Sequence, residues 1–462
     1  MDYPQETALK RTALLVAGLS SFLAPFMGYS INIALPAMSQ ELQMDSVLAG
    51  WVATAYMLSA AIFLVPLGKV ADLVGRKRIF TYGTLLYTFS SLLAAMANSP
   101  TVLIASRVPQ GIGSAMIFGT GMAIVTSVFP TAERGRALGL NVAATYLGLT
   151  MGPFLGGFLT EQLSWRSIFL VNVPIGLIIL GLTRWRLTGE WIGERGASFD
   201  WIGSIIYSVS LVAVMYGLSQ LQTWGGWLLL AGGLGIAGFV WWEIRTEDPV
   251  LDMALFGRNT TFALSNLAAL IHYCATAAVG FLLSYFLQYV QGLSPQQAGI
   301  VMVAQPVVMA VFSPLAGWIS DRVETRLVAS AGMALTMVAL VLLALIDATT
   351  ALWVIISYQA LLGFGFALFS SPNMNAVMSS VDRRSYGLAS ATVSTMRLIG
   401  QMLSMGIAML ILSIFVGNVQ ITPERYSAFL TGMRANLLGF AALCLVGIFA
   451  SLARGRVHRP RH

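Results

Sequence analysis

Charge is scarce in this chain. Asp, Glu, Lys and Arg make up 10% of its 462 residues, against about 25% in ordinary soluble domains. That leaves too little polar surface to wrap so large an apolar content in water, so lipid must surround most of the chain. Cysteine is nearly absent. Cys274 and Cys444 both lie in apolar runs, which suggests packing and no disulfide framework. No His, Cys and carboxylate cluster has metal-ligand spacing, and no Gly-rich loop ends in Lys-Ser or Lys-Thr. No metal, no cofactor and no direct use of ATP are therefore expected. Carboxylates are missing from the apolar runs as well: all 19 Asp and Glu fall in loops or near helix ends. Without clustered acids and bases, an enzyme is not expected.

What is present is a series of long apolar stretches. A hydrocarbon core of ~30 Å needs about 20 residues of helix. Fourteen stretches qualify: six between 12 and 184, a pair at 201–220 and 225–243, and six more between 262 and 453. The fold expected is an all-α, polytopic membrane protein. Lys10 and Arg11 precede the first stretch, and no small-residue cleavage site follows a short core, so it reads as a retained helix. With the N-terminus placed in the cytoplasm, 21 of the 26 Lys and Arg fall in inside segments, among them Arg195, Arg245, Arg383, Arg384, Arg454, Arg456, Arg459 and Arg461. Only Arg166, Arg425 and Arg434 fall outside. This asymmetry is the positive-inside pattern, and it puts both termini in the cytoplasm. The net charge of +7 is then topogenic, and no nucleic-acid partner is expected.

An internal repeat is visible. Gly68-Lys-Val-Ala-Asp72 leaves the second stretch, and Gly317-Trp-Ile-Ser-Asp321 leaves the tenth, an offset of 249. Gly135-Arg-Ala137 and Gly387-Leu-Ala389 are offset by 252. The repeat suggests two six-helix halves, 1–184 and 246–462, with an inserted pair and its connector at 185–245. Repeats of this kind are typical of secondary transporters, with substrate bound at their interface.

Several segments resemble the major facilitator superfamily. Gly68 to Arg78, with Gly75, Arg76 and Lys77, is similar to its loop between helices 2 and 3. Arg107-Val-Pro-Gln110-Gly-Ile-Gly113 resembles its basic helix 4 motif. Gly148-Leu-Thr-Met-Gly152-Pro153-Phe-Leu-Gly156-Gly157 resembles the helix 5 motif of its exporters. Trp165 to Gly176, Asp200-Trp-Ile-Gly203, Pro249-Val-Leu-Asp252 and Leu255-Phe256 are similar to its fourteen-helix drug:proton antiporter branch, so the resemblance spans nearly the whole chain. It implies multidrug export, of small hydrophobic or amphipathic compounds by proton antiport, with two rocking bundles in the plasma (inner) membrane. Its partners would be the lipid bilayer, a small-molecule substrate and protons, and the working unit a monomer. Two positions depart from the branch. Asn32-Ile-Ala-Leu-Pro36 is present, but the usual acid five residues earlier is Met27, and Leu73 stands where Arg is common.

Three groups that can carry charge are embedded: Arg107, His272 and Arg397. Such a group costs several kcal/mol unless it meets a cavity or a partner, so each is a candidate for function. Asn32, Gln110, Tyr146, Gln305 and Asn373 are further candidates for the substrate and proton pathway. Asp72, and Asp321 beside Arg134, are expected to gate at the cytoplasmic face, pairing with the starts of helices 13 and 5. His272 is the embedded side chain with an unperturbed pKa of ~6.5, and so the candidate coupling group. The missing helix 1 acid and the embedded arginines also fit an alternative, an exporter or flippase of an anionic metabolite or lipid.

Overall fold

In a computed structural model, residues 3–193, 199–382 and 385–455 are described. Arg195, Arg383, Arg384, Arg456, Arg459 and Arg461 lie outside the described residues. Thirteen helices among the described residues are long and apolar enough to cross a membrane. In chain order they are α1 (Thr7–Glu41), α2 (Ser46–Val74), α4 (Pro100–Val128), α5 (Glu133–Gln162), α6 (Arg166–Trp185), α7 (Trp201–Ser219) and α8 (Gly225–Glu243), followed by α9 (Thr260–Val290), α10 (Pro295–Ser320), α11 (Thr325–Ala344), α12 (Leu352–Ser379), α13 (Tyr386–Phe415) and α14 (Pro423–Ala453). The fourteenth is α3 (Arg76–Ala95), of the same length as α11 but more polar. Its hydroxyls return to its own backbone: Thr81, Thr84, Thr88 and Ser91 each donate to the carbonyl four residues earlier. Satisfied in this way, they can sit in an apolar setting.

Local sequence sets the ends and breaks. Asp45, Ser99, Asp200 and Asn259 cap the helices that follow them, and Ser294 forms a capping box with Gln297. Proline lacks an N–H and its ring clashes with the carbonyl four residues back. The first segment of α6 ends at Leu170, four before Pro174, and that of α10 ends at Met302, four before Pro306. In α9 the break at Ala277–Ala278 is held by the Ser404 hydroxyl, which accepts from the Ala278 N–H at 2.9 Å.

The sequence repeat has a counterpart in packing. A Cβ on Gly111 would run into the Tyr56 carbonyl, and one on Gly363 into that of Gln305. Gly148 meets the Phe22 carbonyl in the same manner, and Gly400 that of Leu270. α2 therefore packs on α4 as α10 packs on α12, and α1 on α5 as α9 on α13. Small residues allow this backbone approach where lipid supplies no hydrophobic drive between helices. The inserted α7 lies across the seam between the halves. Tyr207, Leu211 and Met215 share an apolar cluster with Leu58, Ile62 and Val65 of α2 and with Met402 and Met409 of α13. The Tyr207 hydroxyl donates to the Ala61 carbonyl at 3.0 Å.

The halves close on each other at the end opposite Asp72, called here the far end. Ser39 and Tyr285 share a hydrogen bond of 2.7 Å, Gln288 donates to the Ile33 carbonyl at 2.9 Å, and the Gln296 N–H donates to Glu161 at 2.9 Å. Gly157 of α5 packs on the Pro295 carbonyl while Gly299 of α10 packs on that of Pro153, a reciprocal contact. At the opposite, basic end, the side-chain hydrogen bonds of Asp72, Arg134 and Arg454 stay within their own half.

Candidate functional site

At mid-depth the two halves face each other through tyrosines. Tyr146 of α5 donates to Ser313 of α10 at 2.7 Å, a hydrogen bond across the seam. Tyr273 of α9 lies within electrostatic reach of both Tyr29 and Tyr146. Its ring meets Phe366 edge-on at 5.5 Å. The Asn32 carboxamide nitrogen reaches to 2.9 Å from the position of a Cβ on Gly280, so α1 and α9 touch there. Arg397 of α13 is half-buried and faces the other half, with its guanidinium 5.9 Å from the Phe118 ring centroid of α4 and within electrostatic reach of Tyr56. Among the described residues, the Arg397 guanidinium has no hydrogen-bond or carboxylate partner.

Other expected pathway residues lie elsewhere. Arg107 is 1% exposed and stays inside its own half. It donates to the Val52 carbonyl at 3.0 Å and to Gln110, and stacks over Tyr56 at 4.5 Å; Gln110 donates on to Ser91 at 2.7 Å. The pair ties α4 to α2 and α3 and is not presented to the seam. Asn373 is likewise used internally: it donates to the Ser265 carbonyl at 3.1 Å and accepts from Arg454 at 2.9 Å. Gln305 is buried on α10, with its backbone against Gly363. His272 is 0% exposed, stacked on Phe369 at 4.1 Å and bordered by Phe366 and Tyr273. Neither of its ring nitrogens has a partner. An aromatic cage, not the seam, is where the structure puts this imidazole.

The gating residues form a tight node at the basic end. Asp72 accepts from Arg76 at 2.7 Å, and Arg76 also donates to Ser127 at 3.0 Å. Gly75 has φ +129°, a conformation that disfavours any side chain, and its α-carbon faces the Glu190 carboxylate. Glu190 accepts from the Lys77 N–H at 2.8 Å, and the Gly193 N–H donates to the Asp72 carbonyl at 3.0 Å. Gly68 receives Gly119 of α4. The connector after α6 thus folds under the α2–α3 turn, a contact that no sequence motif signals. Arg134 donates to the Phe129 carbonyl at 2.9 Å, and Asp321 is exposed at the end of α10. The structure brings neither Asp72 to α13 nor Asp321 to α5.

The helix 5 glycines have two faces. Gly148, Gly152 and Gly156 pack on α1, where Ser30 donates to the Gly152 carbonyl at 2.9 Å, while Gly157 and Pro153 meet α10. Met27, at the position of the usual acid, is fully buried with its sulfur against the Asn172 amide at 3.3 Å. Glu41 is occupied at the far end by Trp165 at 2.7 Å and Arg166 at 2.6 Å.

Two nodes went unnoticed in the sequence. Arg454, 1% exposed, donates to Asn373, to Ser265 at 3.3 Å and to the Thr325 carbonyl at 2.7 Å, binding the end of α14 to three other helices. Burial pushes its guanidinium down to about 10, which leaves it charged at neutral pH. Asp200 and Glu243 meet at the base of the inserted pair. Trp242 donates to Asp200 at 3.0 Å, and the Leu251 N–H to Glu243 at 2.8 Å. The Asp200-Trp-Ile-Gly203 motif signalled the first of these; nothing in the local sequence signalled their pairing.

The model of the Major Facilitator Superfamily matches residues 17–240 and 266–462. The chain is 30% identical to the riboflavin transporter RibZ of Clostridioides difficile, over 84% of this chain and 85% of that one. It is 33% identical to the multidrug resistance protein Stp of Mycobacterium tuberculosis, over 84% and 73%. A bacterial homologue of the human lysosomal transporter Spinster, solved in an inward-facing and unoccupied conformation, superposes with a TM-score of 0.70 at 17% identity, covering 98% of both chains.

Proposed function

The chain belongs to the Major Facilitator Superfamily and is a membrane transporter, and from that premise we propose that it exports small amphipathic compounds by proton antiport, with its two helix bundles rocking about the seam. The observation that carries the reading is the mid-depth layer of Tyr29, Tyr146 and Tyr273, built from both halves and tied across the seam by the Tyr146–Ser313 hydrogen bond. Aromatic surfaces with few polar groups suit amphipathic ligands of varied shape. The name of the relative Stp and the helix 5 glycines favour export. The halves would be 1–184 and 246–462, joined by the inserted segment 185–245.

In this reading the protein works as a monomer in the plasma membrane with the Asp72 end in the cytoplasm, which the basic asymmetry of the loops supports. With that orientation, the closed far end supports an inward-facing state. In the opposite state Asp72 and Asp321 would leave their present settings and bind the starts of α13 and α5, where a helix N-terminus favours a carboxylate by ~0.3–1 kcal/mol. His272 is the proposed coupling group, its cage opening as α9 moves. A resistance screen of cells with and without the protein, spanning cationic, neutral and anionic compounds, tests the reading. Protection against at least one group with lowered cell content is expected; unchanged content of every compound would refute export.

A further inference from the structure

The Arg397 guanidinium raises a problem of charge balance. It sits 11 residues into α13 from Tyr386, roughly 16 Å from that end at ~1.5 Å per residue. A cation at that depth needs water, a counter-charge or an acceptor. Arg107 meets the need with a backbone carbonyl and Gln110 inside its own half. Arg397 has no such partner: the Phe118 ring lies 5.9 Å away, and Tyr56 is within electrostatic reach but not hydrogen-bonded to it.

Rocking of the bundles offers no remedy. Every Asp and Glu among the described residues lies in a loop or within a few residues of a helix end. Rigid-body motion swings these ends apart or together but does not carry a carboxylate to the middle of a helix. Water can reach the half-buried group in the present state, but any counter-charge has to arrive from outside the chain. Arg397 faces the other half across the seam, toward Phe118 of α4 and Tyr56 of α2.

We infer that Arg397 is the anion anchor of the substrate site, so that the exported compounds carry a carboxylate or similar acidic group beside an aromatic or apolar body. The inference rests on the transport reading above and names its substrate class. The planar guanidinium offers paired donors that match a carboxylate or phosphate. The neighbouring rings would take the apolar body.

The test uses the purified full-length chain in nanodiscs of phosphatidylcholine. Binding of three probes with one ring system, 2-naphthoate, 2-naphthamide and 2-naphthylmethylammonium, is followed by calorimetry. Naphthoate should bind about ten- to a hundredfold more tightly than the amide, and Arg397→Gln should abolish that preference while leaving amide affinity unchanged. Arg397→Lys should retain part of it. An acid-to-amide ratio that Arg397→Gln leaves intact overturns the inference, as does tighter binding of the ammonium probe. So does failure of all three to bind a chain that still transports other compounds. Export of neutral compounds with an unaffected ratio would remove the anion anchor and spare the transport reading. A repeat with phosphatidylglycerol added separates the sources. Arg397-dependent loss of naphthoate binding there identifies a lipid headgroup as the anion; undiminished binding identifies a soluble acid.

Discussion

Closure at the far end depends on two glycines facing each other across the seam, which makes the conformational balance open to a single methyl group. Gly299→Ala would drive its Cβ into the Pro153 carbonyl of the other half. That contact exists only while the far end is shut. Overfilling a close contact costs about 1–3 kcal/mol, and here the cost falls on one state, so the equilibrium should tilt by about 5- to 150-fold toward opening at the far end. Gly148→Ala is the control. Its Cβ would strike the Phe22 carbonyl within the same half, so it should lower stability in both states and tilt nothing. Spin labels at positions 43 and 420 report the outcome, since Gln420 donates to Gln43 across the far end at 3.1 Å. Distances measured by pulsed electron resonance should lengthen in Gly299→Ala and stay as in the parent in Gly148→Ala. An unchanged distribution in Gly299→Ala, or equal shifts in both variants, would refute the reasoning.

Four further outcomes are expected. Asp72→Asn loses a partly exposed pair with Arg76, worth under about 1 kcal/mol, yet should reduce transport several-fold; full activity with unaltered accessibility on both faces would remove Asp72 from the gate. His272→Gln should still bind substrate but lose pH-gradient-driven uptake, and normal coupling in that variant would exclude the imidazole. Arg454→Ala strips charged hydrogen bonds from a buried node and should lower stability by about 2–3 kcal/mol, seen as a lower melting temperature in detergent with the loss absent from the exposed Arg425→Ala. Cysteines placed at 220–224 or 291–295 should react with an impermeant reagent outside intact cells, and those at 190–193 should not; labelling at 190–193 would reverse the proposed orientation.

The helices were legible because a membrane span must be long, apolar and internally bonded. Only α3 tests that rule, and its hydroxyls explain why it passes. The repeat was legible through short motifs at its turns, and Gly111, Gly363, Gly148 and Gly400 carry it into packing. Side-chain direction was not legible. Helices that are apolar all round give no stripe to mark the face that meets a partner, so Asn373 and Arg397 looked alike as embedded polar groups. One is consumed by Arg454, 81 residues away, and the other faces the seam. The node of Arg454 escaped notice for a related reason: its loop position satisfied the charge rule, and a topogenic role seemed sufficient.

Proton antiport is tested most directly by energy coupling in a defined system. Purified protein in vesicles, oriented with the basic end outward, should accumulate an amphipathic substrate when the lumen is made acidic, without ATP, and release it when a protonophore collapses the gradient. Accumulation indifferent to the gradient, or dependent on ATP, would contradict proton antiport.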